Sequence, residues 1–183
     1  MEAMIRPAVP GDAAALAALA AVTFPLACPP GAPLADITAY LRDNLSERNF
    51  EGYLADPARQ LFVAQEVAAS GRGQLLAYSM MVDAPPSDRD VAAVVTESNA
   101  VEFSKCYAHP KVHGQGGSTL LMEASLDWVS RQGSRASWLG VNAENRRAQA
   151  FYQKHGFAVV GTKSFHLGTR VEHDYVMVRP RGH

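Results

Sequence analysis

Residues 138–157 read WLGVNAENRRAQAFYQKHGF. The apolar start of this stretch, within the segment 136–141, predicts a β-strand. Asn145 then predicts the N-cap of a helix, and Gly156 predicts its C-terminal end. The inner face of that helix carries four side chains at helical spacing: Ala148, Phe151, Tyr152 and His155. The stretch therefore predicts a strand followed by a short helix that presents a tyrosine.

A glycine-rich loop, HGQGGS at residues 113–118, lies about thirty residues upstream. It follows a predicted strand at 101–108 and opens an amphipathic helix predicted at 117–132. A helix N-terminus has unpaired N–H groups and a partial positive charge, and glycines let the backbone approach an anion closely. No Gly-Lys-Ser or Gly-Lys-Thr follows, so the loop is not a P-loop. The order of strand, loop and helix predicts a pyrophosphate site, with a flexible loop as the alternative.

The rest of the chain places more strands and helices around these two motifs. Five further strands are predicted, at 4–9, 60–68, 75–82, 157–165 and 172–178. Asp12 is predicted as the N-cap of an Ala/Leu-rich helix, and a second helix is predicted at 36–48. The proline-containing segments 25–33 and 84–90 are predicted as loops. Strands in runs, interrupted by helices, indicate a mixed sheet with helices on its faces.

Length and composition limit the classes of protein to which this chain can belong. The 183 residues predict one domain over 1–183, and 48% hydrophobic with 19% charged residues is an ordinary globular balance. The formal net charge of −1 predicts neither a nucleic acid nor a membrane as partner. The longest apolar run, 13–22, is too short for a membrane span of about 20 residues and predicts a core helix. Two cysteines are too few for a disulfide framework, which predicts a cytoplasmic protein.

Residues 139–157 resemble the GCN5-related N-acetyltransferase (GNAT) superfamily. Its pattern is met at nine positions: Leu139, Val141, Asn145, Ala148, Phe151, Tyr152, Lys154, Gly156 and Phe157. The upstream loop stands where that superfamily has its pyrophosphate loop. The resemblance implies an α+β GNAT fold with a mixed, mostly antiparallel sheet of about seven strands and four flanking helices. It also implies acetyl-CoA as co-substrate, no metal, and a homodimer.

The resemblance assigns the acyl-donor contacts to a defined set of residues: Tyr107, Ala108, His113, Gly114, Gln115, Gly116, Gly117, Ser118, Asn145, Tyr152 and Lys154. Two loop positions depart from the family, because His113 replaces the usual Arg or Gln and Ser118 replaces the usual Gly or Ala. Backbone N–H groups make most phosphate contacts in such loops, so we expect binding to survive both changes. A protonated His113 can partly replace the lost charge.

A narrower resemblance, to the PaiA-type polyamine acetyltransferases, covers most of the chain. It rests on the Phe24 region, the helix around 40–46, the strand segment 76–78 and the closing segments 160–168 and 173–177. It implies a small-molecule amine acceptor, a polyamine such as spermidine. It also implies that Phe24 lines the acceptor pocket.

The segment 82–104 is rich in acids. It holds five of them against one base, Arg89: Asp83, Asp88, Asp90, Glu97 and Glu102. A local negative field favours a polycation, so Asp83 and Glu102 are candidate acceptor-binding residues. A solvated acidic loop is the alternative.

Acetyl transfer to an alkylamine requires a base, because on the order of one molecule in a thousand is neutral at pH 7. Glu102 is the candidate, since it lies in the predicted strand before the loop, where the resemblance implies a carboxylate that faces the acceptor. A strand glutamate that is solvated, or salt-bridged to Lys105, is the alternative. The resemblance implies direct transfer in a ternary complex. It further implies an oxyanion held by backbone N–H groups around Tyr107, and Tyr152 as the proton donor to the CoA thiolate.

Cys106 suggests two other kinds of chemistry. A covalent acetyl-cysteine route would need a histidine partner, and none is evident. The spacing of Cys106, His109 and His113 resembles a zinc site, yet Pro110 and Gly114 would break a helix that carries both histidines. Two further functions share the same motifs: a non-catalytic CoA-binding sensor, and acetylation of a protein N-terminus or lysine.

Overall fold

A seven-stranded sheet with the strand order β1-β2-β3-β4-β5-β7-β6 forms the centre of the protein. The structure is a computed structural model that describes residues 3–69, 71, 73–112, 116–133 and 135–182. Pairing is antiparallel for β1–β2, β5–β7 and β6–β7 and parallel for β4–β5, so the predicted mixed sheet is confirmed. The strands are β1 Ala3–Pro7, β2 Arg59–Glu66, β3 Leu75–Val82, β4 Val101–Ala108, β5 Ser137–Asn142, β6 Ala158–Leu167 and β7 Arg170–Arg179.

Six α-helices occur in the described part of the chain, where the sequence predicted four. They are α1 Ala13–Ala27, α2 Leu34–Asn44, α3 Glu47–Ala55, α4 Arg89–Val94, α5 Gly117–Arg131 and α6 Arg146–Lys154. The single helix predicted at 36–48 is wrong, because the chain breaks at Ser46 and starts α3. The Ser46 hydroxyl accepts the Asn49 N–H at 3.3 Å, and the Asn49 side chain accepts the Ser46 N–H at 3.0 Å. The predicted loop 84–90 likewise ends at Asp88, which caps α4.

The start of α1 differs from the prediction. Asp12 ends a short 3-10 turn, and its carboxylate makes no cap bond to α1. The carboxylate instead accepts the Val9 N–H at 2.8 Å and two Arg6 N–H groups at 2.7 and 3.0 Å. At the other end α1 continues through Pro25 to Ala27, so the predicted loop 25–33 begins three residues too early. Asp12 therefore stands at the predicted N-cap position of α1, but its carboxylate closes the preceding turn and does not cap the helix.

The helical segment 10–27 is, by length and composition, apolar enough to cross a membrane. Such a criterion is weak, because the core helix of a globular domain meets it too. Leu16, Leu19 and Phe24 on this segment are buried in the fold. Their burial agrees with the core helix that the sequence predicts.

The chain divides into two compact units. The first comprises Met1–Met81 with Lys105–Ser125, and the second comprises Val82–Ser104 with Leu126–His183. The largest buried side chains of the first unit include Leu16, Phe50, Tyr78 and Leu121. In the second unit, α4 packs against the sheet through a cluster of buried residues: Val91, Val95, Ala100, Ala136, Trp138 and Val176. One domain over 1–183 stays a prediction.

Candidate active site

Strands β4 and β5 are paired over a short length. In the described residues the parallel register joins only Val101 to Ser137 and Glu102 to Trp138, although both strands continue beyond these pairs. Each residue and its registered partner project to the same face of a sheet. Glu102 therefore shares a face with Trp138, the face on which α4 packs.

Helix α6 places the ring of Tyr152 among other aromatic rings. The Asn145 side chain accepts the Ala148 N–H at 3.0 Å, which confirms the predicted N-cap. The Tyr152 ring makes edge contacts with Phe103 and Phe157, with ring centroids 6.2 and 6.0 Å apart. Such contacts fix the direction of the phenol without covering all of it, since Tyr152 is half-buried. The predicted catalytic tyrosine is thus held on the second unit.

Glu102 and Tyr152 lie on opposite sides of β4. Phe103, which contacts Tyr152, is buried, and the preceding Glu102 is half-buried. Successive side chains of a strand alternate between faces, so the carboxylate of Glu102 projects away from the tyrosine.

The glycine-rich loop is described only at its end. His113, Gly114 and Gln115 lie outside the described residues. Gly116 has a φ of +80°, which favours glycine, and Gly117 begins α5. A Cβ atom added at either glycine would meet no described atom within 4 Å, so the space beside this helix N-terminus is open. Ser118 follows in the first turn, where unpaired N–H groups favour an anion.

Aromatic side chains of the first unit gather around Tyr107. Its ring centroid lies 5.6 Å from that of Tyr78 and 6.4 Å from that of Phe24. Phe24 stacks on Tyr40 with centroids 4.5 Å apart and an interplanar angle of 7°. The structure thus brings together Phe24, predicted for the acceptor, and Tyr107, predicted for the acyl donor. Ala108 ends the same strand.

The Tyr78 hydroxyl is buried and makes no hydrogen bond among the described residues. Burial is the main reason that the pKa of this phenol lies well above its ordinary value. The nearby side chains raise the pKa further: Tyr107, Tyr40, Cys106 and Tyr53. An unsatisfied buried hydroxyl costs stability. We expect Tyr78→Phe to raise the free energy of unfolding by about 1 kcal/mol, measured from the urea midpoint at constant slope.

Tyr53→Phe is the matched control for this substitution, because the Tyr53 hydroxyl donates to the Asn44 carbonyl at 2.8 Å. That variant should lose stability by about 1 kcal/mol. A lowered urea midpoint for Tyr78→Phe would mean that the Tyr78 hydroxyl is satisfied in solution.

Cys106 is a poor nucleophile. Burial raises the pKa of its thiol to about 12, so about one thiol in ten thousand is ionised at pH 8. We expect Cys106→Ala to keep acetyl transfer, and iodoacetamide to label Cys106 slowly in the folded protein. Loss of transfer together with a trapped acetyl-cysteine would contradict direct transfer.

No group of three metal-ligating side chains occurs in the described part of the chain, and His113 lies outside it.

Several acids of the segment 82–104 are paired. Asp83 accepts two hydrogen bonds from Arg135 at 2.6 and 2.7 Å, and these bonds lower the pKa of its carboxyl group. Glu97 lies 3.4 Å from Arg181. The local negative charge is therefore smaller than the sequence count suggests, and a role for Asp83 in acceptor binding stays a prediction. Lys154 is exposed in the last turn of α6.

Three residues that sequence analysis missed meet on the face of the sheet shared by Glu102 and Trp138. They are Gly140 on β5, Lys163 on β6 and Asp174 on β7. Position 140 is a variable position in the acetyltransferase pattern at residues 139–157, so that pattern does not single out Gly140. Lys163 and Asp174 stand opposite each other in the β6–β7 hairpin. Only the strand register brings them together.

Comparison with known proteins identifies the class. The chain belongs to the acetyltransferase (GNAT) family, whose family model matches residues 27–157. It is an N-acetyltransferase. An uncharacterized N-acetyltransferase of Mycobacterium tuberculosis is 42% identical over 168 residues, which cover 92% of this chain and 97% of that protein.

Two solved structures share the fold. PaiA N-acetyltransferase from Thermoplasma acidophilum, in complex with coenzyme A, has a TM-score of 0.75 and 17% identity, over 98% of this chain and 99% of that chain. Arabidopsis thaliana NAA60 in complex with acetyl-CoA has a TM-score of 0.67 and 13% identity, over 97% of each chain. The predicted α+β GNAT fold is confirmed; the first of these structures holds coenzyme A and the second holds acetyl-CoA.

Proposed function

We propose that the protein transfers the acetyl group of acetyl-CoA directly to a primary amine of a polyamine such as spermidine. The observation that carries the proposal is the phenol of Tyr152, fixed by aromatic contacts on α6 within the segment that the family model matches. The sequence resemblance to the PaiA-type polyamine acetyltransferases, in the closing segments 160–168 and 173–177, favours the polyamine over other amines.

The acyl donor is bound mainly by backbone groups. We assign its pyrophosphate to the loop 113–115 together with Gly116, Gly117 and the N-terminus of α5, whose N–H groups and dipole favour an anion. Ser118 adds a hydroxyl, and Asn145 fixes the first turn of α6. Lys154 supplies an exposed positive charge for the phosphates.

The reaction exchanges one bond and moves three protons. Glu102 removes a proton from the acceptor ammonium, and the neutral amine attacks the thioester carbonyl. The C–N bond forms, and backbone N–H groups around Tyr107 and Ala108 stabilise the oxyanion. The C–S bond then breaks, and Tyr152 gives its proton to the leaving CoA thiolate. The acylated nitrogen gives up its second proton, which returns the Tyr152 phenolate to the phenol. The products are the N-acetylated amine and CoA, and the proton held by Glu102 passes to solvent.

The test is release of free thiol from acetyl-CoA with a panel of acceptors: spermidine, spermine, putrescine, amino acids, aminoglycosides and short peptides. Saturable release with spermidine or spermine supports the proposal. Release with peptides alone would assign the protein to peptide acetylation. Tight CoA binding without release on any acceptor would favour a CoA-binding sensor.

A further inference from the structure

Trp138 carries a buried N–H group that has no acceptor among the described residues. The residue is 5% exposed on β5, and its Nε1 atom makes no hydrogen bond in the described part of the chain. Its side chain packs in the cluster under α4, whose other members have apolar side chains: Val91, Val95, Ala100, Ala136 and Val176. Buried N–H groups nearly always have an acceptor, so this one calls for an explanation.

The strand register places Glu102 next to the indole. Glu102 and Trp138 are a registered pair of the parallel strands β4 and β5, and their side chains project to the same face. They form the last pair of the described β4–β5 register, although both strands continue beyond it. Neighbouring strands lie about 4.8 Å apart, so a glutamate side chain is long enough to reach the indole of its partner. Glu102 is half-buried, which leaves its side chain room to turn.

The other acids near this face are held elsewhere. The carboxylate of Asp88 caps α4, and that of Asp83 accepts two hydrogen bonds from Arg135. Asp174 is registered with the last residue of β5 and stands opposite Lys163. The two remaining charged residues of α4 are exposed: Arg89 and Asp90. The carboxylate beside the indole is therefore that of the candidate base.

We propose that the Glu102 carboxylate accepts the indole N–H of Trp138 after a change of its side-chain rotamer, which makes Trp138 a positioning residue for the base. A carboxylate has two oxygens, so one can accept the indole proton while the other takes the proton of the acceptor ammonium. A donor to the charged form stabilises that form and fixes its direction. The inference rests on the proposed function for the role of Glu102, and on the unpaired indole N–H for the hydrogen bond itself.

The first test is the NMR spectrum of the protein labelled with ¹⁵N-tryptophan, which needs no turnover. The chain has two tryptophans, so the spectrum holds two indole N–H signals, and Trp128→Phe assigns them. In wild type the Trp138 signal should move downfield as the pH rises through the ionisation of Glu102, because a charged acceptor binds the proton more strongly. In Glu102→Gln the Trp138 signal should not titrate. The signal of Trp128, half-buried on α5, is the internal control and should be the same in both proteins.

The second test is the pH profile of acetyl transfer to spermidine by Trp138→Phe, which keeps an aromatic ring in the cluster and removes the N–H group. The ratio of wild-type to variant kcat/KM should rise to about tenfold as the pH is lowered through the ionisation of Glu102, because loss of the donor makes the carboxylate easier to protonate. Above that pH the ratio should stay constant. Trp128→Phe is the matched control and should follow wild type. A ratio for Trp138→Phe that is the same at every pH would mean that Trp138 only supports the core.

The two tests separate this inference from the proposed function. A Trp138 signal that titrates alike in wild type and Glu102→Gln, or in neither, overturns the hydrogen bond even if spermidine is acetylated. A signal that titrates only in wild type supports the hydrogen bond even if Trp138→Phe does not fold. The same result without acetyl transfer to any acceptor keeps the hydrogen bond and overturns the proposed function.

Discussion

Replacing Tyr152 with Phe lowers kcat by about 10²- to 10⁴-fold, the usual contribution of a positioned proton donor, and leaves CoA affinity unchanged. The ring keeps its contacts with Phe103 and Phe157, so the helix and the donor site are preserved. Only the hydroxyl is lost, and the CoA thiolate must then leave without a proton. The measurement is steady-state thiol release, together with calorimetric titration of CoA.

Tyr53→Phe is the control, because it removes a phenol oxygen at another position. Among the hydrogen bonds described for it, the Tyr53 hydroxyl donates only to the Asn44 carbonyl. That variant should keep wild-type turnover. Turnover of Tyr152→Phe equal to wild type would remove the tyrosine from the mechanism. A Tyr152→Phe variant that fails to bind CoA would show a role in donor binding instead.

Local patterns made α6 predictable. Asn145 caps the helix through its own side chain, and Gly156 has a φ of +86°, so both ends are decided by single residues. The β6–β7 hairpin is predictable for the same reason, because Gly168, with a φ of +60°, turns the chain between two apolar runs. These elements need little information from the rest of the chain.

Other elements depend on contacts that sequence spacing does not reveal. Asp12 has the residue type of an N-cap, but Arg6 on the neighbouring strand holds its carboxylate. Asp83 counts as a negative charge in the sequence, and Arg135, 52 residues away, neutralises it. Gly140, Lys163 and Asp174 come together through the pairing of three strands. The position of Tyr152 was therefore predictable, whereas the pairing of the acids in the segment 82–104 was not.

Replacing Glu102 with Gln lowers kcat/KM by about 10²- to 10⁴-fold at pH 7, because the acceptor ammonium has then no base to remove its proton. The variant can use only amine that is already neutral in solution. That fraction rises about tenfold with each pH unit below an amine pKa of about 10.4. The deficit relative to wild type should therefore shrink steadily as the pH is raised from 7 to 10. The measurement is kcat/KM for spermidine across this range.

The shape of this pH profile distinguishes a base from a structural carboxylate. If Glu102 only supports β4, the ratio of wild-type to variant activity is the same at every pH, and the assignment of the base is wrong. Glu123→Gln makes the same change at an exposed position on α5 and should follow the wild-type profile. A deficit that shrinks with pH for Glu102→Gln, but is absent for Glu123→Gln, requires proton removal at Glu102.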